Sequence, residues 1–428
     1  MTRRDFLASA TALTLPSVAA AQDVIKLRIA PVTLDIGLKH TVRTIAYNGQ
    51  VPGPLFRWKE GQNVTIEVTN DSDEADLVHW HGFHIPPEVD GAMEEGTPMV
   101  EAHATQRYQF TVTPSGTRWY HSHMGDGHNF RRGTYTGQFG MAIVKGKYEP
   151  GAYDQDIPIV LHEWEPSLVG EEPAYKLQTI NSKMLGAGEP VKVKTGQKVL
   201  FRILNASATL THRIALAGHT LTVITLDGNA VATPRAVLMV ELGPGERADC
   251  IVDMKAPGVW IMGETRDAQR LAGMGIVIEY AGATGPARWV RPAVHPWDYT
   301  EFGAVRTVAQ PDATVRLEFK SVGEHGWSIN GKSWPNTDPI MVKAGGRYRL
   351  IFDNQSSMDH PVHLHRHNFE LTKVVGKPTG GVFKDVVMVP GWKAVEVELI
   401  ADHPGPSLFH CHHQFHMDMG FMTLLQYT

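Results

Sequence analysis

The feature that most restricts the fold of this chain is a short alternation of apolar and polar residues that recurs from end to end. Clear copies occupy residues 24–29, 63–68, 199–204 and 395–399. A period of two is the pattern of a β-strand with one buried face, whereas the side chains of a helix repeat every 3.6 residues. Clusters of Gly, Pro, Asn and Asp separate the copies, and the chain contains 41 Gly and 27 Pro. Together these features predict an all-β protein built from β-sandwiches.

A weak internal repeat predicts that one sandwich is present three times. A glycine-led strand that closes on asparagine begins at Gly61, at Gly196 and at Gly345, and a Pro/Gly turn that runs into another strand follows each copy. Repeats of this length indicate structural units that each bury a core. We therefore expect three domains and one linker, at residues 22–147, 148–282, 311–428 and 283–310 respectively.

The first residues are predicted to be an export signal. Arg3 and Arg4 precede a modest apolar run, and the small residues Ala19, Ala20 and Ala21 follow it. This order resembles a twin-arginine signal, which exports folded proteins to the bacterial periplasm. We therefore leave residues 1–21 out of the fold and expect a periplasmic protein.

Composition excludes two broad classes of function. The formal net charge is −5 and no basic run is present, which argues against a nucleic-acid partner. No apolar stretch reaches the roughly 18 residues that a transmembrane helix requires, so no stable membrane anchor is expected. We expect a monomer.

The densest group of metal-binding side chains occupies residues 410–416, in the order His-Cys-His-His-Gln-Phe-His. An apolar run before it predicts a strand, so His410 and His412 should point to one face and Cys411 to the other. One short segment could therefore supply a thiolate to one metal site and imidazoles to another. A thiolate, two histidines and a weak or absent axial ligand describe a blue-copper centre. The stretch alone would also fit a zinc-binding or solvated histidine-rich tail.

Three further histidine clusters have the same spacing, which places paired imidazoles on one face of a strand. They contain His79 and His81, His121 and His123, and His360, His363 and His365. The central domain has no such pair, because its histidines stand alone. A metal cluster built by the first and third domains must lie at their interface, and the central domain is expected to bridge them. If Cys411 binds metal, Cys250 has no disulfide partner, and its alternating surroundings predict a buried free thiol.

These four motifs, in this order, resemble those of three-domain multicopper oxidases of the laccase type. The resemblance covers nearly the whole mature chain and includes residues 329–332 and 384–390. It implies three cupredoxin-like Greek-key β-sandwich domains and four copper ions: one type 1, one type 2 and a type 3 pair. It also implies an oxidase whose partners are O2 and either a small organic reductant or Cu(I).

The resemblance also implies a role for each ligand. His360, Cys411 and His416 would hold the type 1 copper, and His79 and His363 the type 2 copper. The type 3 pair would be held by the remaining six histidines, His81, His121, His123, His365, His410 and His412. An electron would enter through the exposed edge of His416 and pass along the backbone of Cys411 to its neighbouring histidines. Four electrons would reduce one O2 to two waters.

Two positions depart from, or test, the family pattern. The axial position of the type 1 copper falls on Phe421, which cannot ligate and should raise the redox potential, although a one-residue shift would bring in Met422. Some members carry a carboxylate directly after the last type 1 histidine, where this chain has Met417. Reduction of O2 consumes protons, and Asp90 matches the family acid beside the type 2 copper. The alternative interpretation of Asp90 is an ordinary Asp-Gly turn.

Three functions are compatible with this resemblance: a laccase-like oxidase, a periplasmic oxidase of Cu(I) or another metal ion in copper tolerance, and a copper-free structural relative. The complete ligand set excludes the third. Methionine-rich loops are scarce, and the short loops of the central domain predict an open type 1 site that admits bulky organic donors. We therefore favour oxidation of phenols or aromatic amines. Met417, Met419 and Met422 weigh towards the metal-ion oxidase, because thioethers bind Cu(I).

Overall fold

The computed structural model describes residues 24–147, 151–293, 295–306 and 309–428. Within them strands dominate, which confirms the all-β prediction; the predicted export signal lies outside the described residues. The short helices are α1 (Pro87–Asp90), α2 (Asp267–Leu271) and α3 (Gln414–Asp418), with 3-10 turns at Met93–Glu95, Gly133–Tyr135 and Tyr299–Phe302. In the described part of the chain, no helix has the length and apolar character needed to cross a membrane.

The N-terminal unit, residues 25–145, is a sandwich of two four-stranded sheets with the orders β2-β1-β4-β6 and β3-β8-β7-β5. Its strands β1 to β8 are Ile25–Gly37, His40–Tyr47, Phe56–Lys59, Asn63–Asn70, Val78–His79, Thr105–Thr111, Gly116–Ser122 and Phe139–Lys145. An aromatic core that includes Trp58, Trp80 and Tyr120 fills the space between the sheets. Each fully buried aromatic side chain of this kind contributes about 2 kcal/mol of hydrophobic stabilisation.

The central unit, residues 155–280, is a second sandwich, with sheets of six and five strands. Its strands β9 to β21 are Gln155–Trp164, Ser167–Val169, Glu172–Ala174, Leu177–Ile180, Val191–Val193, Lys198–Asn205, His212–Leu216, Leu221–Leu226, Asn229–Val237, Val240–Leu242, Arg247–Asp253, Val259–Glu264 and Gly275–Tyr280. The hairpin β10–β11 stands apart from both sheets. Cys250 on β19 is a buried free thiol, as predicted.

The C-terminal unit, residues 313–427, is a third sandwich, with sheets of seven and five strands. Its strands β22 to β33 are Ala313–Val322, Gly326–Ile329, Ile340–Val342, Arg347–Asn354, His360–Leu364, Phe369–Val374, Lys377–Pro378, Phe383–Lys384, Val386–Val389, Ala394–Ile400, Ser407–Cys411 and Met422–Tyr427. Its apolar core is continuous with that of the central unit, whereas the N-terminal unit has a core of its own. The domain boundaries stay predictions.

The three units repeat one pairing: the first long strand of each lies parallel to a later strand, as β1 with β4, β9 with β14 and β22 with β25. The same repetition aligns the histidine motifs. His79 on β5 lies opposite His121 on β7, and His363 on β26 lies opposite His410 on β32. The ends of these four strands therefore present histidines at the seam between the N-terminal and C-terminal units.

Candidate metal centre

Eight buried histidines converge at this seam, four from the N-terminal unit and four from the C-terminal unit. This eight-histidine cluster consists of His79, His81, His121, His123, His363, His365, His410 and His412. In each His-x-His motif the first histidine lies on a strand and the second lies at or just beyond its end. Because the intervening residue points to the other face, both imidazoles of a motif reach the seam.

The ring nitrogens of the cluster approach one another closely in three groups. Nε2 of His79 lies 3.4 Å from Nε2 of His363. Nε2 of His410 lies 3.1 Å from Nε2 of His365 and 3.4 Å from Nε2 of His123. The remaining group of three, His81, His121 and His412, has nitrogens within 4.8 Å of one another. Such spacings suit imidazoles that share a metal ion.

The opposite nitrogens of several rings are fixed by backbone carbonyl groups, which orients the free nitrogens inward. The Nδ1 donors and their acceptors are His79 to Asp90 O (2.9 Å), His363 to Asp385 O (2.7 Å), His121 to Ser122 O (2.8 Å) and His410 to Cys411 O (2.9 Å). A neutral imidazole with one nitrogen protonated offers the other as a ligand. The backbone therefore selects the tautomer at these four positions.

Burial favours the neutral form of several rings of the cluster. Desolvation, together with the neighbouring imidazoles, lowers the pKa of His363 and His412 well below 6.5, and burial lowers the pKa of His410 to about 3. Nδ1 of His81, Nε2 of His121 and both ring nitrogens of His412 are buried without hydrogen-bond partners. A ring nitrogen that is buried without a hydrogen-bond partner destabilises the fold unless it binds a ligand such as a metal ion. Imidazole is a good ligand for copper.

A second group, here called the thiolate pocket, consists of His360, Cys411 and His416, all from the C-terminal unit. Nδ1 of His360 lies 3.1 Å from Nδ1 of His416, and each of these nitrogens lies 3.7 Å from Sγ of Cys411. Cys411 points away from the cluster that its two neighbours join, as the strand pattern predicts. Burial raises the pKa of the Cys411 thiol, so a thiolate there requires a bound cation. The soft sulfur and two neutral imidazoles fit copper.

Phe421 closes one side of the thiolate pocket. Its ring is fully buried, with its centroid 4.9 Å from that of His360 and 4.7 Å from that of Phe319. The backbone of Phe421 also holds the loop together, because its carbonyl oxygen accepts from Cys411 N at 3.1 Å. The structure thus places an apolar ring beside the pocket; its role as the axial residue stays a prediction.

Asp90 lies inside the molecule and not on a solvent-exposed turn. Its Oδ2 is 2.8 Å from Nδ1 of His365 and 3.2 Å from Nδ1 of His79, so one carboxylate touches both halves of the cluster. The following residue, Gly91, has φ of 102°, and a Cβ there would lie 2.1 Å from the carbonyl oxygen of Val78. Glycine is therefore required for α1 to pack against β5 and bring Asp90 to the histidines.

A second buried carboxyl group, Glu95, was not predicted. Its Oε1 accepts from Leu408 N at 2.6 Å and lies 3.3 Å from Nδ1 of His365. Burial and the adjacent charge of Asp90 raise the pKa of Glu95 well above its usual range. A single Glu in a short 3-10 turn carries no local pattern, and its nearness to Asp90 in the chain was the only signal that could have identified it.

The expectation of an exposed His416 edge and an open type 1 site is wrong. His416 is fully buried, and its Nε2 donates to Oε1 of Glu172 at 3.1 Å. Glu172 begins β11, so the hairpin β10–β11 of the central unit covers the ring. The other carboxylate oxygen of Glu172, Oε2, lies 3.1 Å from Nε2 of His413. The His413 ring is stacked on His416, with ring centroids 3.7 Å apart. The length of a loop does not reveal where the loop folds.

A cavity of about 160 Å³ opens beside this hairpin. Its acidic and aromatic lining consists of Glu171, Glu172, Glu324, Trp327, Trp392 and Phe415. Trp327 separates the cavity from the thiolate pocket, with ring centroids 4.4 Å from His360 and 4.5 Å from His416. We call this space the tryptophan cavity.

Comparison with known proteins agrees with this geometry. Three stretches match sequence families described as multicopper oxidase, at residues 29–149, 169–279 and 308–428. The multicopper oxidase MmcO of Mycobacterium tuberculosis is 30% identical, over 93% of this chain and 85% of its own length. Copper resistance protein A of Escherichia coli is 23% identical, over 96% of this chain and 93% of its own.

Among solved structures, the laccase from Botrytis aclada matches with a TM-score of 0.81 at 21% identity, over 94% of this chain and 87% of that one. This similarity confirms the cupredoxin-like sandwich fold. The extent of the MmcO match and the three family matches go further than fold. The chain is therefore a member of the multicopper oxidase family, a copper-dependent oxidoreductase that uses O2.

Proposed function

We propose that this oxidase is laccase-like: it takes single electrons from phenols or aromatic amines and delivers four of them to one O2, which becomes two waters. His360, Cys411 and His416 are the type 1 ligands, and His79 and His363 the type 2 ligands. The type 3 ligands are His81, His121, His123, His365, His410 and His412. When bound, four copper ions would supply the one-electron acceptor at the thiolate pocket and the O2-reducing centre at the eight-histidine cluster.

The polypeptide itself connects the two centres. Cys411 belongs to the thiolate pocket, and the residues on either side of it, His410 and His412, belong to the cluster. A single peptide bond therefore joins the cysteine to each of the two histidines. The carbonyl of Cys411 also accepts from Nδ1 of His410 at 2.9 Å, which adds a hydrogen-bonded link.

The observation that carries the choice of substrate is the tryptophan cavity. Three of the side chains that line it contact type 1 ligands: Trp327 packs on both rings, Glu172 accepts from His416, and Ser356 Oγ lies 3.1 Å from Nε2 of His360. The volume accommodates one aromatic ring, and indole faces attract aromatic and cationic groups. None of the described residues that line it is lysine or arginine. A small phenol or aromatic amine fits this lining.

Asp90 is proposed to deliver protons for O2 reduction. Its carboxylate is within hydrogen-bond distance of a type 2 and a type 3 ligand, so it lies where the protons are consumed. General acids placed in this way typically contribute 10²–10⁴-fold to a rate.

A metal-ion oxidase is the second candidate, because the chain is related to a protein named copper resistance protein A. The carboxylates of the tryptophan cavity and Met358 at its wall are groups that a metal cation would also contact. We further propose that residues 1–21 direct export to the periplasm. We also propose that the protein works there as a monomer.

The test is a comparison of kcat/KM for a methoxyphenol and for Cu(I), each in the presence and absence of added Cu(II). A preference for the phenol that persists without added Cu(II) supports the laccase-like function. Preference for Cu(I) by tenfold or more would reverse the assignment. Trp327→Leu should reduce kcat/KM for the phenol, whereas Trp289→Leu in the linker between the central and C-terminal units serves as the matched control.

A further inference from the structure

A side chain of the central unit is linked to the eight-histidine cluster through a carboxylate of the C-terminal unit. Arg247 on β19 has no exposed surface and makes two parallel bonds to Asp385 of the C-terminal unit: Nη1 to Oδ1 at 2.6 Å and Nη2 to Oδ2 at 2.6 Å. Paired bonds of this kind fix both the position and the plane of a carboxylate. The carboxylate of Asp385 is thus held by a different unit from the one that carries it.

Asp385 in turn contacts one histidine from each half of the cluster. Its Oδ1 accepts from Nε2 of His81 at 3.1 Å, and its backbone oxygen accepts from Nδ1 of His363 at 2.7 Å. Because Nε2 of His81 carries the donated proton, Nδ1 is the nitrogen left free. That atom is buried without a partner, within the group that includes His121 and His412.

His81 is therefore turned the opposite way from four other rings of the cluster, namely His79, His121, His363 and His410, whose Nδ1 atoms are engaged by backbone oxygens. Backbone carbonyls determine the orientation of those four rings. At His81 the corresponding acceptor is the side chain of Asp385, which Arg247 holds by two bonds of 2.6 Å, whereas Arg118 of the N-terminal unit lies farther from it, at 3.5 Å. This is the point at which a side chain from the central unit determines which ring nitrogen faces the metal site.

The pair has little room to move. The guanidinium also donates to three backbone oxygens: Thr117 at 3.3 Å, Asp227 at 3.2 Å and Gly245 at 3.0 Å. Beside His81, a Cβ on Gly82 would lie 2.8 Å from Arg247 Nη2 and 2.8 Å from Asp385 Oδ2. The glycine lets the backbone approach the ion pair that closely, so the ring and the pair are packed as one rigid group.

We propose that Arg247 and Asp385 form a positioning pair, through which the central unit sets the tautomer and orientation of His81. The pair thereby controls metal binding by His81, His121 and His412. This inference rests on the proposed assignment of those histidines to the type 3 coppers. It differs from a purely structural role, in which the pair would only hold the units together and its loss would lower stability without a selective effect on one metal site.

The same interface provides a matched control. Arg202, also buried in the central unit, donates to Asp249 at 3.1 Å and to Thr117 Oγ1 at 2.9 Å. It therefore joins the central unit to the N-terminal unit, which Arg247 also contacts through the backbone oxygen of Thr117. Among the described residues, the hydrogen-bond partners of Arg202 include no histidine of the cluster. Arg202→Met should remove a buried charge from the contact between the central and N-terminal units, with no effect on His81.

The experiment compares the copper-loaded full chain with Arg247→Met, Arg247→Lys, Asp385→Leu, the double variant Arg247→Met/Asp385→Leu and Arg202→Met. The readouts are copper ions per chain, the visible absorption of the copper–thiolate bond, the near-ultraviolet absorption of a coupled copper pair, and the thermal unfolding midpoint. The double variant removes both charges of the pair together, and Arg118, 3.5 Å from Asp385, keeps its bonds to Ser115, Asp227 and Asn229, which protects the fold.

We expect the double variant and Asp385→Leu to retain the visible absorption and lose at least half of the near-ultraviolet absorption. Copper should bind the affected site roughly 10–100-fold more weakly, as is usual when an outer hydrogen-bond partner of a ligand is lost. Arg247→Lys should be intermediate, because lysine keeps the charge without the paired bonds. Arg202→Met should keep both absorptions.

Equal retention of the near-ultraviolet absorption and of copper in the wild type and the double variant would overturn the proposal, as would an equal loss in Arg202→Met. The spectrum of the wild-type protein tests the copper assignment separately from the positioning pair. A wild-type spectrum with both absorptions supports the copper assignment whatever the variants do. A wild-type protein without the near-ultraviolet absorption would overturn that assignment and the positioning pair together.

Discussion

The thiolate pocket and the eight-histidine cluster are built in different ways from the same strands. The pocket takes all three residues from the C-terminal unit, with His360 and His416 separated by 56 positions. The cluster pairs residues as far apart as His79 and His363, separated by 284 positions. Incorrect docking of the N-terminal unit on the C-terminal unit would break the cluster apart, whereas the three residues of the pocket would stay together.

This difference indicates where each site can be altered separately. The pocket is preorganised by local packing of Phe421 and Trp327 against its rings. The cluster depends on buried carboxylates that cross between units, such as Asp90, which contacts His365 of the C-terminal unit. Substitutions that alter one site and leave the other intact therefore test whether electrons enter at the pocket and O2 is reduced at the cluster.

The largest expected effect comes from Cys411→Ser, which removes the sulfur of the pocket and leaves the histidines of the cluster in place. Visible copper–thiolate absorption should disappear. Turnover should fall by more than the roughly 10²–10⁴-fold that loss of a general acid costs. Copper analysis should still find the ions of the cluster. Cys250→Ala, at the other buried thiol, is the control and should keep the absorption; loss of all copper from Cys411→Ser would contradict the separation of the sites.

Asp90→Asn should alter the cluster and spare the pocket. The amide keeps the shape of the carboxylate but delivers no proton, so re-oxidation of the reduced enzyme by O2 should slow by roughly 10²–10⁴-fold. Anaerobic reduction of the visible absorption, measured by stopped flow, should keep its wild-type rate. Glu88→Gln, at an exposed carboxylate of the same helix, is the control. Equal slowing of both half-reactions in Asp90→Asn would show that Asp90 does not act specifically at the cluster.

The candidate ligands that the sequence indicated and the structure brings together share a local signal. The two-residue spacing of His79 and His81 specifies a common face on any strand, and the position of Cys411 between two histidines specifies opposite faces. The alternation of residues such as those of 63–68 likewise identified strands before their partners were known. These inferences need only the geometry of a single strand, so they do not depend on the tertiary fold.

The residues that were missed act across units. Glu172 lies on a hairpin of the central unit, yet its contact is His416, separated from it by 244 positions. Glu95 and Asp385 likewise contact histidines that lie in other parts of the chain. Single carboxylates and arginines occur throughout a soluble protein and have no period or spacing. Their partners are determined by how the sandwiches dock, which local patterns do not specify.

A smaller effect is expected from Phe421→Met, which should alter the pocket alone. A thioether at this position would donate to the oxidised copper and lower its redox potential. Each tenfold preference for the oxidised state corresponds to about 59 mV for one electron. A redox titration monitored by visible absorption measures the change, and Phe421→Leu, which adds no donor, is the control. An unchanged potential in the methionine variant would indicate that position 421 is not axial to the metal.

The smallest effect on either site is expected from a pH-sensitive contact in the central unit. Burial alone would lower the pKa of His212, but the carboxylates of Glu163 and Glu264 on either side outweigh it and raise the pKa to about 9. The interaction of protonated His212 with these two carboxylates therefore stabilises the fold fully below the unfolded pKa of roughly 6.5. This stabilisation is lost as the pH rises through 9. The loss is on the order of 3 kcal/mol for a fully buried group.

Chemical denaturation between pH 6 and pH 10 should show this loss of unfolding free energy. In His212→Met the unfolding free energy should vary less with pH. If both proteins lose stability in parallel, the alkaline sensitivity arises elsewhere. If copper absorption from the pocket and the cluster declines only where unfolding begins, the pH dependence belongs to the scaffold and the comparison of the two sites holds across the range.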